Sequence, residues 1–424
     1  MKKKIFLTLA FVCLLTSKIA LAQGPAFNGS TVTAAEVVST AAETTGVTTL
    51  SGSEVATKLA DAKKLLQARS NKDSVSIALA ALDTQADQLH VLTLAKDAFL
   101  TKGAQFSLTT DRGKAVVLRI IRPNGVNTAV TVKDTEGHSL LPLLVQYPIV
   151  KDGVWSENAY YTSAHPALIS TSVVAMGHQY LATMFERANA DLQSNGLNVP
   201  ADLVDVAKHL VIVEHTDHKR FREEDRAGIY PEVLALYALN QGDTFRYSVS
   251  SAGAGGMIQM IPRTYAAIRE NHPNARLESD FVSGMRNHPN ALKAMLLYVN
   301  DTWNFLGQTA EVQQALRSGA ATKTELLAAG YNSNPYRIPG YLSDGGSAWR
   351  TLIPAETQMY LSIYKSVDTH VDFLSSESVP TTDVGVGTLN PAGSSIARQA
   401  TSAVVTWVSK QVLSNAAALT SLVR

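Results

Sequence analysis

The apolar residues of this chain change period twice, and that limits the folds open to it. Over 53–102 they recur at helical spacing, in "SEVATKLADAKKLLQARS" and then "SVSIALAALDTQADQLHVLTLAKDAFL", with Gly103 as the stop signal. From 115 the period shortens. "AVVLRIIR" (115–122) and "NTAVTVKD" (127–134) are β-branched runs, separated by Pro123-Asn124-Gly125-Val126 with its Asn-Gly turn signal. A third apolar run, "LLPLLVQYPIV", closes at Val150, and from 153 the spacing is helical again. The pattern predicts a mainly α protein in which a helical segment and a small β or α+β module precede a larger helical part. No internal repeat is visible.

The chain has 424 residues, 46% of them apolar, enough for a sizeable core and two or three domains. Residues 1–22 read as a signal peptide: Lys2, Lys3 and Lys4, an apolar run from Ile5 to Leu15, and Ala20-Leu21-Ala22 as a cleavage site. The run is too short to span a bilayer, and no later run reaches that length. The expectation is an exported protein, periplasmic or secreted, with no stable membrane span. The one cysteine, Cys13, lies inside the leader, so the mature chain has no disulfide and no thiol chemistry. Removing the leader takes four of the 37 basic residues and no acid. That leaves 33 basic against 36 acidic residues, a net charge of −3, and no case for nucleic acid.

The expected organisation is a flexible arm over 23–52, a helical plus β module over 53–152 and a helical domain over 153–372. A linker over 373–395 and a C-terminal helix over 396–424 follow. Within the helical domain, 167–192 reads as one long amphipathic helix. A second begins at "ADLVDVAKHLVIVE", after Pro200.

"SSAGAGGMIQMIP" (250–262) is the densest glycine stretch. A dinucleotide fingerprint would need a third glycine at 258, which is Ile258. A phosphate loop would need Gly-Lys-Ser/Thr, which is missing, and a flexible linker would not run straight into Met-Ile-Gln-Met-Ile-Pro. The spacing that remains is Ser250, Ala252, Gly253, Ala254, Gly256, Gln259, Pro262 and Thr264. It resembles a motif of the soluble-type lytic transglycosylases, a lysozyme-like, goose-lysozyme-related family that cleaves bacterial cell-wall glycan. "LAAGYNSNP" (327–335), with Tyr331 and Asn332, resembles the family's Ala-Tyr-Asn segment. "PAETQMYLSIY" (354–364), with Glu356, Thr357 and Tyr360, resembles its Glu-Thr-x-x-Tyr motif. The resemblance covers roughly 200–365 and implies a lysozyme-like helical catalytic domain.

The family's catalytic acid is a Glu at the end of the helix before the Gly-Gln motif, which carries over to Glu214. Leu203, Ala207, Leu210 and Glu214 share one helical stripe, so the carboxyl falls on an apolar face. Burial there disfavours the charged form and raises the pKa, as a general acid requires. Two departures stand out. His215 replaces the family's usual Ser, and Gly253 stands 39 positions after Glu214, more than is usual. The extra stretch, 222–248, is partly helical and either covers the cleft or packs outside it. It brings rival acids: Glu223 and Glu224 in a charge run read as a solvated face, and Glu232 read as first-turn dipole stabilisation.

The resemblance implies substrate-binding roles for Ser250, Gly253, Met257, Gln259, Tyr331, Asn332 and Tyr360, with Glu356 in support. Ser250 would bond the catalytic carboxylate or a sugar. Gly253 and its neighbours would let backbone approach a sugar. Met257 and Gln259 would line the cleft, and the tyrosines would offer flat faces with polar tips. His209, His215 and His218 surround Glu214 but fit neither HExxH nor HxxEH, so no metal and no cofactor is expected.

The function implied is an exported peptidoglycan lytic transglycosylase. It would cut the N-acetylmuramic acid–N-acetylglucosamine β-1,4 bond to a 1,6-anhydro product with a single Glu. The partner is the peptidoglycan glycan strand; nothing specifies a protein partner. Hydrolysis, as in goose-type lysozymes, would need a second carboxylate such as Asp217 or Asp243. A non-catalytic glycan-binding scaffold is the third reading.

Overall fold

The computed structural model describes residues 50–69 and 72–373. The leader, almost all of the arm and linker, and the C-terminal helix lie outside them.

The described chain opens with helix α1 (Gly52–Ala68). Ser51 and Glu54 form a reciprocal cap at its start. Seven strands follow: β1 (Ser76–Asp83), β2 (Gln88–Ala95), β3 (Gln105–Thr109), β4 (Ala115–Arg122), β5 (Ala129–Asp134), β6 (Ser139–Lys151) and β7 (Val154–Tyr161). The four-residue helix α2 (Lys96–Phe99) sits between β2 and β3. All pairings are antiparallel, in the order β2-β1-β6-β5-β4-β3, and the sheet curls into a half-barrel. The 13-residue β6 organises it. It meets β5 through Ser139 and Leu140, β1 through its middle, and β7 from Val145 to Lys151.

This sheet overturns the mainly α expectation and the small β module with it. The error began at 76–95, read as helix and folded as the β1–β2 hairpin. The physical reason is burial on both faces. Ile77, Leu79 and Ala81 pack in the sheet's own core with Leu118 and Ile120, while Ala80 and Leu82 face α1 through Val55, Ala62 and Leu66. Such a strand shows no alternation, and its Ala and Leu are good helix formers. The turn has a local cause: the Asp83 carboxylate accepts from the N–H groups of Gln85 and Ala86. By contrast β4 alternates plainly, with Val116, Leu118 and Ile120 buried and Val117 exposed. The sheet also continues to Tyr161, past the domain boundary expected at 152/153.

The helical part comprises α3 (Thr171–Ser194), α4 (Ala201–Val213), α5 (His218–Glu223), α6 (Arg226–Asn240), α7 (Pro262–Asn271), α8 (Phe281–Arg286), α9 (His288–Leu306), α10 (Ala310–Ser318), α11 (Lys323–Asn332), α12 (Ile338–Gly345) and α13 (Ala355–His370). Helix α9 is buried nearly all round, through Ala291, Leu292, Ala294, Met295, Leu296 and Leu297, and forms the axis.

Helix α6 lies in the stretch expected to cover the cleft or pack outside it, and it does neither. One side packs on α3 and α4 through Tyr230, Val233, Leu234 and Tyr237; the other packs on the sheet through Ala235 and Ala238. Gly177 of α3 meets its backbone so closely that a Cβ there would lie 2.1 Å from the Leu234 carbonyl oxygen. At its end the Asn240 amide accepts from the Thr162 N–H at 2.7 Å and donates to the Thr162 carbonyl at 2.9 Å. Sheet and helices therefore pack on each other through a shared apolar layer. No helix among the described residues is long and apolar enough to cross a membrane.

Candidate active site

Helix α4 carries Leu203, Ala207 and Leu210 into the core and ends at Val213, with Glu214 as its C-cap. The chain turns at once, because Asp217 caps α5 by accepting from the N–H groups of Lys219 and Arg220. The Glu214 side chain is left half-buried at a helix C-terminus. Burial pushes its carboxyl up to about 8; the Tyr360 hydroxyl, donating to Oε1 at 2.6 Å, pulls the other way, and the charge of Glu356 adds to the rise. The negative end of the α4 dipole acts in the same direction as burial. At neutral pH the group holds its proton.

Glu214 lines two cavities. The first, of 410 Å³, lies between the 250–264 loop and helices α11 and α13. Ser250, Gln259, Tyr298, Tyr331, Asn332, Glu356 and Tyr360 border it. The second, of 690 Å³, lies between the helices and the sheet. Its walls are the β4–β5 turn from Arg122 to Asn127, Tyr147 and Ile149 of β6, Arg220, the Ile229, Glu232 and Leu236 face of α6, and Phe245, Tyr247 and Ser248.

The glycine loop is a packing device. Gly253 N–H donates to the Ser250 carbonyl and Ala254 N–H to Ser250 Oγ, closing a turn around Gly253 at φ 77°. Gly256, at φ 68°, lies so close to α8 that a Cβ would stand 2.7 Å from the Met285 carbonyl oxygen. A single 3₁₀ turn (Gly256–Ile258) then drives Met257 and Ile258 fully into the core.

The geometry places each residue expected to contact substrate. Gly253 and Met257 do not border the first cavity: the glycine serves the turn and the methionine the core. The Ser250 hydroxyl oxygen caps its own loop, not the Glu214 carboxylate. Tyr360 borders the cavity but is only 2% exposed, and its hydroxyl is committed to Glu214, so it positions the acid. Tyr331 borders the cavity, but its hydroxyl donates to the Ile258 carbonyl at 2.6 Å, fastening α11 to the loop. Gln259 borders the cavity too, with its Nε2 turned back on the Gly256 carbonyl at 2.8 Å and on Ser248. Asn332 accepts from Thr357 Oγ1 at 2.9 Å. Glu356 stands exposed in the first turn of α13, and its contribution is charge.

The sequence reading missed how His215 works. Its ring lies flat on Phe245, with planes 3° apart, and its Nε2 donates to the Met257 carbonyl at 3.1 Å. Burial holds it neutral, its pKa pushed down to about 3. It locks the end of α4 to the glycine loop. Only the replacement of the family's Ser hinted at such a role.

The rival carboxylates are engaged elsewhere. Glu232 is not a dipole-stabilising residue of the first turn. It takes a bidentate bond from Arg220 at 2.7 and 2.8 Å, and Arg220 also bonds Glu224. Glu223 is exposed beside Lys219. Asp217 borders the second cavity, with its carboxylate in the α5 cap. Asp243 pairs with Arg246 at 3.8 Å and borders neither cavity.

The histidines do not converge. His209 bonds its own helix at the Asp205 carbonyl, His215 faces the loop and His218 borders the first cavity. Among the described residues, Asp134, Glu136 and His138 bring metal-capable atoms together, on the β5–β6 turn away from the site, where Lys114 also reaches Asp134.

No protein-family model, no curated protein and no solved structure matches the chain.

Proposed function

We propose that the protein is an exported peptidoglycan lytic transglycosylase with Glu214 as its single acid and base. The observation that carries this reading is one carboxyl, at the junction of two cavities, whose environment keeps it protonated at neutral pH up to about 8. The three motif-like segments around it add support: all border the first cavity, through Ser250 and Gln259, Tyr331 and Asn332, and Glu356 and Tyr360.

In this mechanism Glu214 gives its proton to the glycosidic oxygen as the bond from that oxygen to the muramyl C1 breaks. The muramyl C6 hydroxyl then forms a new bond to C1 and returns its proton to the Glu214 carboxylate. The enzyme regains its starting state, a 1,6-anhydro ring closes, and no water is consumed. One carboxyl serves both steps, so the paired carboxyls of hydrolytic glycosidases are not required. Tyr360 holds the carboxylate during the interval in which it is charged. The exposed charge of Glu356 favours the positive charge developing at C1.

The test is digestion of purified peptidoglycan with the protein and with Glu214→Gln, with muropeptides weighed by mass spectrometry. Products one water lighter than hydrolysis products, absent with the variant, are expected. Ordinary reducing ends would move the reading to a muramidase. Glycan binding without release by either protein would make the site a non-catalytic one.

A further inference from the structure

We infer that the cavity between the sheet and the helices is the second half of the glycan groove, so that the N-terminal sheet module is a substrate-binding element. The inference rests on the proposed reaction. Glu214 borders both cavities. A chain cut in its interior must continue on both sides of the acid, and the first cavity, framed by helices and the glycine loop, provides one side only. On the other side the walls come from the β4–β5 turn and from β6.

The chemistry of this half fits uncharged, amide-bearing sugar. The charged groups at its rim are compensated internally: Arg220 is spent on Glu232 and Glu224, and Arg122 reaches Glu232 at 3.4 Å. Between the ion pairs lie the aromatic Tyr147 and Tyr247 and the amides of Asn124 and Asn127. The Oδ1 of Asn127 is buried with no hydrogen-bond partner among the described residues. Asn127 borders this cavity, and a sugar N–H or O–H is the kind of donor its amide oxygen accepts. Asn124 stands exposed at the mouth of the same turn.

The test uses the full chain with Asn127→Ala and Asn124→Trp, the first deleting the acceptor and the second obstructing the groove. Turnover of peptidoglycan and binding of the N-acetylglucosamine hexamer to the Glu214→Gln protein are measured, with and without each substitution. The expected result is a fall of roughly tenfold in kcat/KM and in hexamer affinity for Asn127→Ala, the worth of one hydrogen bond. Asn124→Trp should cause a larger fall. In neither should the melting temperature fall, and the pH at which activity declines should stay unchanged. Unaltered turnover and affinity in both variants, while the parent protein still releases anhydro products, would make the sheet a spacer and overturn the inference alone. Absence of both turnover and hexamer binding in the parent chain would overturn the proposed function and this inference with it.

Discussion

Glu214 couples stability to function at a single carboxyl. Its folded pKa, about 8, lies above the ordinary 4.5. Below pH 4.5 both folded and unfolded chains hold the proton. Between 4.5 and 8 the unfolded chain releases it and the folded chain does not, so folding loses stability as pH rises through this window. Glu214→Gln cannot ionise. It should match the parent chain in unfolding free energy at pH 4 and exceed it at pH 8.5, by about 2 kcal/mol after discounting for solvent in the cavities. The same substitution should lower turnover by at least about a hundredfold, the usual worth of a general acid. An equal stability difference at both pH values would mean that burial does not set this group. Tyr360→Phe removes the donor that favours the charged carboxylate. The alkaline limit of the pH–rate profile should rise by up to about one unit and kcat should fall about tenfold; a downward shift would contradict the assigned hydrogen bond.

At the scale of elements, the glycines separate by what surrounds them. Gly177→Ala puts a Cβ into the backbone of α6, and the helices cannot part without opening two cores. A loss of about 3 kcal/mol or more is expected in denaturant unfolding. Gly253→Ala meets only Pro262 Cδ, at an ordinary contact distance of 3.9 Å, and its positive φ alone opposes the change. It should cost about 1–2 kcal/mol and leave KM for glycan unchanged. A large rise in KM without loss of stability would return Gly253 to the substrate contacts. These two glycines look alike in the sequence; their difference is made by neighbours distant along the chain.

For the whole molecule, the interface of sheet and helices is the deciding feature. Val173, Ala235 and Ala238 of the helices are buried against Leu82, Val91 and Leu141 of the sheet and Val55 of α1. A fragment over 163–373 would expose this face and leave Asn240 without its Thr162 partner. It should aggregate or melt without cooperativity, as followed by circular dichroism with temperature. A fragment melting as sharply as the full chain would show that the helical part folds alone.

The sequence by itself determined what depends on local pattern. It marked the β-branched runs of β4 and β5, the long helix ending near 192, the helix that delivers Glu214, and the three segments that border the first cavity. It could not determine what depends on two faces being covered at once. Strand β1, with Ile77 and Leu79 turned to one core and Ala80 and Leu82 to another, has no period to read. Helix α6 looked like an insertion because nothing local records that it is shared by two cores. Tyr360 and Tyr331 carried no sign of where their hydroxyls end, and Asn127 none of the cavity it borders. Those assignments were decided by tertiary structure alone, because burial and hydrogen-bond partners are set by residues remote in sequence and cannot be read from any one segment.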